Sequence, residues 1–120
     1  MYVFIIKMDD MSEREEILSD LVHLRRSLAD IRRDLTKYPW DFEKPMMMIG
    51  KGDFLSVLKK CRDGQITSEE LANWADAITL RDDIGFETDE MLEIIFELAN
   101  PEVNGKISKD RLEEMIKELS

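Results

Sequence analysis

Hydrophobic residues recur along the chain at spacings of three and four, a period typical of helices that bury one face. The first such stripe follows Ser12, where a Ser-x-x-Glu pattern ending at Glu15 predicts a capped helix start. It runs until Pro39, because proline lacks the backbone N–H that a helix interior needs. We therefore predict one long N-terminal helix with a stripe of Ile17, Leu21, Leu24, Leu28, Ile31 and Leu35.

The alternating spacing of this stripe also fits a heptad seam, through which two chains can form a coiled coil. The seam is shorter than the roughly three to four heptads that identify a coiled coil from sequence. We favour packing of the stripe on the protein's own core over dimerisation, and keep dimerisation as the alternative.

Four further helices are predicted downstream. The second covers Asp53–Arg62, and Gly64 ends it because glycine readily takes the left-handed conformation found after helices. Thr67 begins the third helix with a second capping box, completed by Glu70. The remaining boundaries are Thr88 to just before Pro101 for the fourth helix, and Ser108 onward for the fifth.

Little of the chain is left for other structure, since its 120 residues include five glycines and three prolines. Residues 38–45 form a connector that its aromatic side chains should pin to the bundle, and residues 46–49 are expected to be extended or to start a helix. Residues 1–10 are expected to be peripheral or poorly ordered. We predict an all-α fold, a compact bundle of about five helices with a long N-terminal helix, in a single domain over residues 1–120.

Composition limits the class and the compartment. Hydrophobic residues make up 43% of the chain, too large a share for a disordered acidic tail. The single cysteine, Cys61, excludes an internal disulfide, so we expect a reducing, cytoplasmic location. The apolar run Tyr2–Ile6 lacks the preceding basic region of a signal peptide, and no run is long enough to span a bilayer.

Charge is concentrated in one segment. Residues 64–98 contain ten acidic residues and one basic residue, a net charge of −9 out of −10 for the whole chain. A segment of one sign creates a directional field, which favours a basic partner. We expect the partner to contact Asp82, Asp83, Phe86, Glu87, Glu90, Glu93 and Glu97.

The fourth predicted helix presents this charge on one narrow edge. Apolar residues cover most of its circumference, and no lysine or arginine of the helix offsets the acids on the remaining strip. Phe86, just before the helix, is expected to be exposed beside them. An acidic rim around an aromatic residue is typical of a protein-binding surface. The alternative interpretation is a solvated face that keeps the protein soluble.

The sequence does not favour an enzyme. His23 is the only histidine and Cys61 lies on a predicted buried face, so a zinc site lacks ligands. Carboxylates are abundant enough for a two-acid catalytic site, but no pair is marked out by its spacing. We predict a non-enzymatic protein without a metal or cofactor.

Two loops, residues 63–67 and 104–108, share a Gly-x-Ile pattern that resembles the centre of an EF-hand calcium loop. Calcium needs oxygen ligands, yet the ligand positions hold Lys59 and Cys61 in the first loop and Arg111 in the second. The pattern is better explained by a glycine that ends one helix and a Thr or Ser that caps the next. A degenerate EF-hand-like regulator is retained as an alternative.

The stretch Phe54–Leu71 resembles a pattern in bacterial colicin-like immunity proteins, notably those that guard against tRNA-cleaving toxins. The shared features are an apolar helix, a short turn with Gly, Ile and Ser or Thr, and an acidic helix with an aromatic residue. The resemblance implies a small helical inhibitor whose acids, here those between residues 82 and 97, occupy the basic RNA site of a nuclease.

The expected function is therefore that of an immunity protein, which neutralises a basic nuclease toxin domain as a monomer or homodimer. It would bind neither nucleic acid nor a membrane directly. A helical adaptor that dimerises through its first helix is the alternative from a different class.

Overall fold

The computed structural model describes the backbone of residues 2–38, 45 and 47–120, and the side chains of these residues except those of 2–12 and 104. Within these ranges the chain is mostly helical, which confirms the general fold prediction. The elements are α1 (Tyr2–His23), α2 (Leu28–Leu35), β1 (Met47–Ile49), α3 (Lys51–Arg62), α4 (Ser68–Thr79), β2 (Ile84–Phe86), α5 (Asp89–Ala99), α6 (Pro101–Asn104) and α7 (Lys109–Leu119). Tyr38 of the predicted connector packs against the core, as expected of its aromatic residues. Residues 39–44 of the connector and Met46 lie outside the described residues.

The predicted long helix from Ser12 toward Pro39 is wrong, because two helices cover this region. α1 begins at Tyr2, since no glycine or proline before Ser12 stops a helix. It ends at His23, and α2 starts five residues later, at Leu28, after the capping residue Ser27. The prediction of about five helices is also too low, with seven among the described residues.

Local and tertiary contacts together make the break between α1 and α2. Leu24 has a left-handed φ of 49°, which ends the helical path. The Ser27 hydroxyl accepts a hydrogen bond from the Asp30 N–H at 3.2 Å and so caps α2. Lys60 of α3 donates to the terminal carbonyls of His23 and Leu24 at 2.9 and 3.1 Å. The contact with Lys60 is long-range, and the spacing of the stripe does not reveal it.

The hydrophobic stripe of α1 and α2 faces the protein's own core. Four of its residues are at most 6% exposed, and the other two pack against the same core. These side chains are already buried within one chain, which favours the core interpretation over a coiled coil. The four are Ile17, Leu21, Ile31 and Leu35, and the two are Leu24 and Leu28.

β1 and β2 form a two-stranded parallel sheet, with Met47 opposite Ile84 and Ile49 opposite Phe86. The expected extended segment at residues 46–49 is confirmed for 47–49, but the pairing was not predicted. Each strand leads directly into a helix, β1 into α3 and β2 into α5. The chain therefore repeats a strand–helix–turn–helix unit, with the short helix α6 inserted before the second turn.

The two Gly-x-Ile turns occupy equivalent places in this repeat. Gly64 and Gly105 have φ values of 83° and 79°, a region that glycine enters without steric cost. Thr67 and Ser108 cap the following helices through hydrogen bonds from backbone N–H groups at 3.0 and 3.1 Å. The helix-ending and helix-capping roles predicted for these residues are confirmed.

One hydrophobic cluster joins the described elements other than α6. Trp74 and Phe54 meet in it edge to face, with ring centroids 5.7 Å apart. The Trp74 indole N–H donates to the Leu21 carbonyl at 2.7 Å, which ties α4 to α1. No described helix is both long enough and apolar enough to cross a membrane.

Candidate protein-binding surface

The acids predicted to contact a partner do not share one environment. Asp82, Glu87, Glu90 and Glu93 are exposed, Glu97 is partly buried, and Asp83 is fully buried. The structure therefore replaces the predicted single acidic ridge with three separate places: a buried ion-pair cluster, the N-terminus of α3, and the solvent side of α5.

Asp83 lies in the buried cluster and is 0% exposed. Arg81 donates from Nε and Nη2 to its two oxygens, each at 2.9 Å, and Arg14 of α1 donates from Nη2 at 3.0 Å. Arg14 also lies over the Tyr38 ring, 5.5 Å from its centroid. A buried carboxylate needs such partners to offset its lost hydration. The prediction that Asp83 contacts a partner is wrong.

This cluster also changes the charge of the surface. Arg81 is the single base among residues 64–98, and its side chain is only 9% exposed because it pairs with Asp83. The charge of Arg81 is therefore paired with that of Asp83 at a mostly buried site. The exposed acids of the segment have no other base within residues 64–98 to offset their field.

Glu87 lies at the N-terminus of α3. Its backbone N–H donates to the Ile49 carbonyl at 3.2 Å, and its Oε1 would lie 3.3 Å from a Cβ placed on Gly50. Negative charge is favoured there by the helix dipole. Glu87 therefore has a structural reason for its position, besides any role toward a partner.

Asp53 lies at the same helix end and contacts His23, the only histidine. Burial raises the pKa of the Asp53 carboxyl, but the hydrogen bonds from the Gly50 N–H at 3.1 Å and from His23 Nε2 at 2.8 Å lower it more. The other ring nitrogen of His23 lies 2.9 Å from the Ser19 carbonyl. His23 therefore joins α1 to α3 in a structural contact.

Glu97 is partly neutralised by α7. Arg111 donates from Nε and Nη2 to its two oxygens, each at 2.9 Å, in a bidentate ion pair. These hydrogen bonds hold the pKa of the Glu97 carboxyl below its usual range. We expected no base to offset the acids on this edge of the helix, and this expectation is wrong at Glu97. Arg111, which lies 14 positions later in the sequence, pairs with it.

Phe86 was expected to be an exposed aromatic side chain beside the acids, but it is not exposed. It is partly buried at the end of β2 and packs against the core, whereas Phe96 of α5 is 49% exposed. At about 100° per residue, Phe96 falls on the same side of the helix as Glu93, three positions earlier. That spacing is visible in the sequence, but the prediction of a wholly acidic exposed edge on this helix leaves Phe96 among the apolar residues that cover the rest of its circumference.

Two strips run along the solvent side of α5. The acidic strip consists of Asp89, Glu90 and Glu93, which are all exposed and form no ion pair among the described side chains. The apolar strip consists of Leu92, Phe96 and Ala99, of which Phe96 is the most exposed. The exposed side of α5 is thus wider than the narrow, wholly acidic edge that we predicted.

A cleft of about 820 Å³ lies between the two Gly-x-Ile turns, beside the N-termini of α4 and α7. Arg111 and Glu97 line it, and their ion pair occupies the charged groups of both. Across the described residues, His, Cys, Asp and Glu side chains form no group of three or more suited to a metal ion.

Comparisons with protein-family models, with curated proteins and with solved structures gave no match for this chain. The molecule's own surface is therefore the guide to its function. That surface combines a helix fixed on the core with exposed carboxylates and one large exposed aromatic side chain, a chemistry suited to binding a protein.

Proposed function

We propose that this protein is an immunity-type inhibitor, which binds a basic nuclease toxin domain through its acidic surface and performs no catalysis itself. The observation that carries the proposal is the acidic strip of α5, whose three carboxylates form no ion pair among the described side chains. Asp82 and Glu87, which lie on either side of β2 outside this strip, are also exposed and add to the negative charge of the surface. Glu97 contributes less, since Arg111 already neutralises it.

Binding of a basic domain would relieve strain that the free protein carries. Asp89 and Glu93 are four residues apart on α5, and such a like-charge pair costs about 0.2–0.5 kcal/mol. Lysine or arginine side chains of a partner would replace this repulsion with attraction. The net charge of −10 would also speed the encounter at low salt concentration.

Inhibition would follow from the kind of surface that a nuclease uses. A nuclease holds the phosphates of its substrate with basic side chains. A protein carboxylate can pair with the same side chains, so the acidic surface would exclude RNA by occupying its site. In this mechanism the inhibitor needs fixed negative groups and no reactive group of its own.

The test uses the basic C-terminal domain of a large secreted protein, if one is encoded directly upstream of this gene. That domain is co-expressed with the wild-type protein or with the triple variant Asp82→Asn, Glu90→Gln, Glu93→Gln. We expect the wild-type protein to restore growth of the cells that express the toxin domain. The variant should bind this domain about 10–100-fold more weakly, and its affinity should depend less on salt concentration. The measurements are the growth of these cells and the Kd for the toxin domain at two salt concentrations.

A matched control changes the net charge equally at exposed acids of other helices, through Glu15→Gln, Glu16→Gln and Glu113→Gln. This control should keep most of the affinity, because the three acids lie on α1 and α7. Equal weakening by both triple variants would show that net charge alone matters, and absence of binding by the wild type would refute the proposed function.

A further inference from the structure

We infer that Phe96 is the apolar anchor of the binding surface on α5, and that the surface receives a basic amphipathic segment of the partner. In such a segment, lysine or arginine side chains flank apolar ones. The inference rests on the proposed function and goes further, since it names the contact residue and the kind of segment that is bound. It depends on the two strips of α5 lying side by side.

Phe96 is distinguished from the other exposed apolar residues by its neighbours. Its side chain is 49% exposed, and Leu92, one helical turn earlier, continues the apolar strip. Glu93 lies beside it in the acidic strip. Leu80 is more exposed, at 62%, but lies at the C-terminus of α4 in a groove with Arg32 and the ion-paired Arg81.

The charge of the surface determines which occupant fits. A second copy of this chain would bring another net charge of −10 and another acidic strip against the first. Nucleic acids and anionic membranes would be repelled in the same way. A basic segment with an apolar residue complements both strips of α5, because its cations pair with the carboxylates while its apolar group covers Phe96.

The anchor is held on a fixed support. Ile95 and Leu98 of α5 are buried in the core below it, and the Phe96 carbonyl accepts a hydrogen bond from the Asn100 side chain at 2.6 Å. The ion pair between Glu97 and Arg111 ties α5 to α7. Because α5 is held in place before binding, this protein loses less conformational entropy when a partner docks there.

The experiment uses two synthetic peptides of equal length and equal positive charge as probes. One is an amphipathic lysine–leucine helix, and in the other every leucine is replaced by glutamine. Calorimetry should show that the wild-type protein binds the lysine–leucine peptide about tenfold more tightly, since only that peptide covers the aromatic ring. The amide NMR signals that shift on binding should be centred on residues 89–99.

Phe96→Ala should remove the preference between the two peptides, and Phe96→Gln provides a second test that retains side-chain length. Leu80→Ala is the control, since it removes another large apolar side chain that is more exposed than Phe96. Equal affinities of the wild type for the two peptides would overturn the inference. So would a preference that survives in both Phe96 variants, or NMR shifts centred outside α5.

Two further measurements distinguish the remaining outcomes: sedimentation of the wild-type protein and of Phe96→Ala, and binding of both to the toxin domain. A wild-type dimer that dissociates on Phe96→Ala would show that a second copy covers the anchor, which overturns the inference. Neutralisation of the toxin domain with unchanged affinity in Phe96→Ala would also overturn it, while the proposed function would stand. Peptide binding as expected, without any binding of the toxin domain, would refute the proposed function and leave the peptide-binding surface established.

Discussion

Asp82 and Asp83 are chemically identical neighbours with opposite environments. Asp82 is exposed, whereas Asp83 is fully buried between two arginines. Part of the reason lies far away in the sequence, since Arg14 belongs to α1 and precedes Asp83 by 69 positions. A charge count locates an acidic segment but cannot tell which of its carboxylates faces a distant arginine.

Asp83→Asn should strongly destabilise the fold, because it removes the carboxylate that two buried guanidinium groups share. We expect a loss of about 3–5 kcal/mol in the free energy of unfolding, measured by urea denaturation. The control Asp82→Asn changes an exposed residue and should stay within about 0.5 kcal/mol of the wild type. Similar losses in the two variants would contradict the buried ion-pair cluster.

The hydrogen bonds that the Asp53 carboxylate accepts from the Gly50 N–H and from His23 outweigh its burial and predict a dependence of stability on pH. The carboxyl pKa of Asp53 is lower in the folded protein than in the unfolded chain, so the folded state binds fewer protons in acid. The stabilisation is complete above the unfolded pKa of about 3.9, and is lost as the pH falls through the folded value.

Urea denaturation of the wild type and of Asp53→Asn between neutral and acidic pH tests this prediction. The wild type should have the larger free energy of unfolding at neutral pH. The difference in this free energy between wild type and Asp53→Asn should shrink in acid, as Asp53 becomes protonated. A difference that stays constant across this range would show that the carboxyl pKa is not lowered by folding.

At the scale of elements, helix ends set by neighbouring residues were predictable and those set by distant contacts were not. Thr67, Thr88 and Ser108 cap α4, α5 and α7 as the sequence indicates. Asp53 accepts a bond from the Gly50 N–H but lies in the first turn of α3, so the predicted start was late. The break after α1 depends partly on Lys60, which no local pattern connects to it.

The turns of the repeat give a prediction for two glycines. Gly64→Ala should destabilise the protein by about 1–2 kcal/mol, because its φ of 83° is unfavourable for a residue with a Cβ. Gly52→Ala should stabilise it by about 0.5–1 kcal/mol, since the position is inside α3 and no heavy atom lies within 4 Å of an added Cβ. Thermal denaturation of the two variants tests both predictions. Shifts of the melting temperature in the same direction would contradict the different backbone conformations assigned to Gly64 and Gly52.

At the scale of the whole molecule, the spacing of hydrophobic residues was sufficient to predict a mostly helical fold. It was not sufficient to predict how the helices and strands are arranged. The repeat was visible only at its turns, because strands of three residues are too short to show an alternating pattern. The acidic segment was likewise visible, but its division between interior and surface depends on the packing of α1 and α7. Phe96 was missed for a different reason, since its position beside Glu93 was available from helical spacing alone.

Synthesis of the chain from its N-terminus makes Arg14 available long before Asp83. Until the turn that precedes β2 has been made, burial of the Arg14 guanidinium would cost hydration without this carboxylate to offset it. The same delay applies to β1, whose only strand partner in the described sheet follows the whole of α3 and α4. We therefore expect α1 and β1 to reach their native packing only after the residues of β2 have been synthesised. A growing chain would then acquire its native packing late in translation.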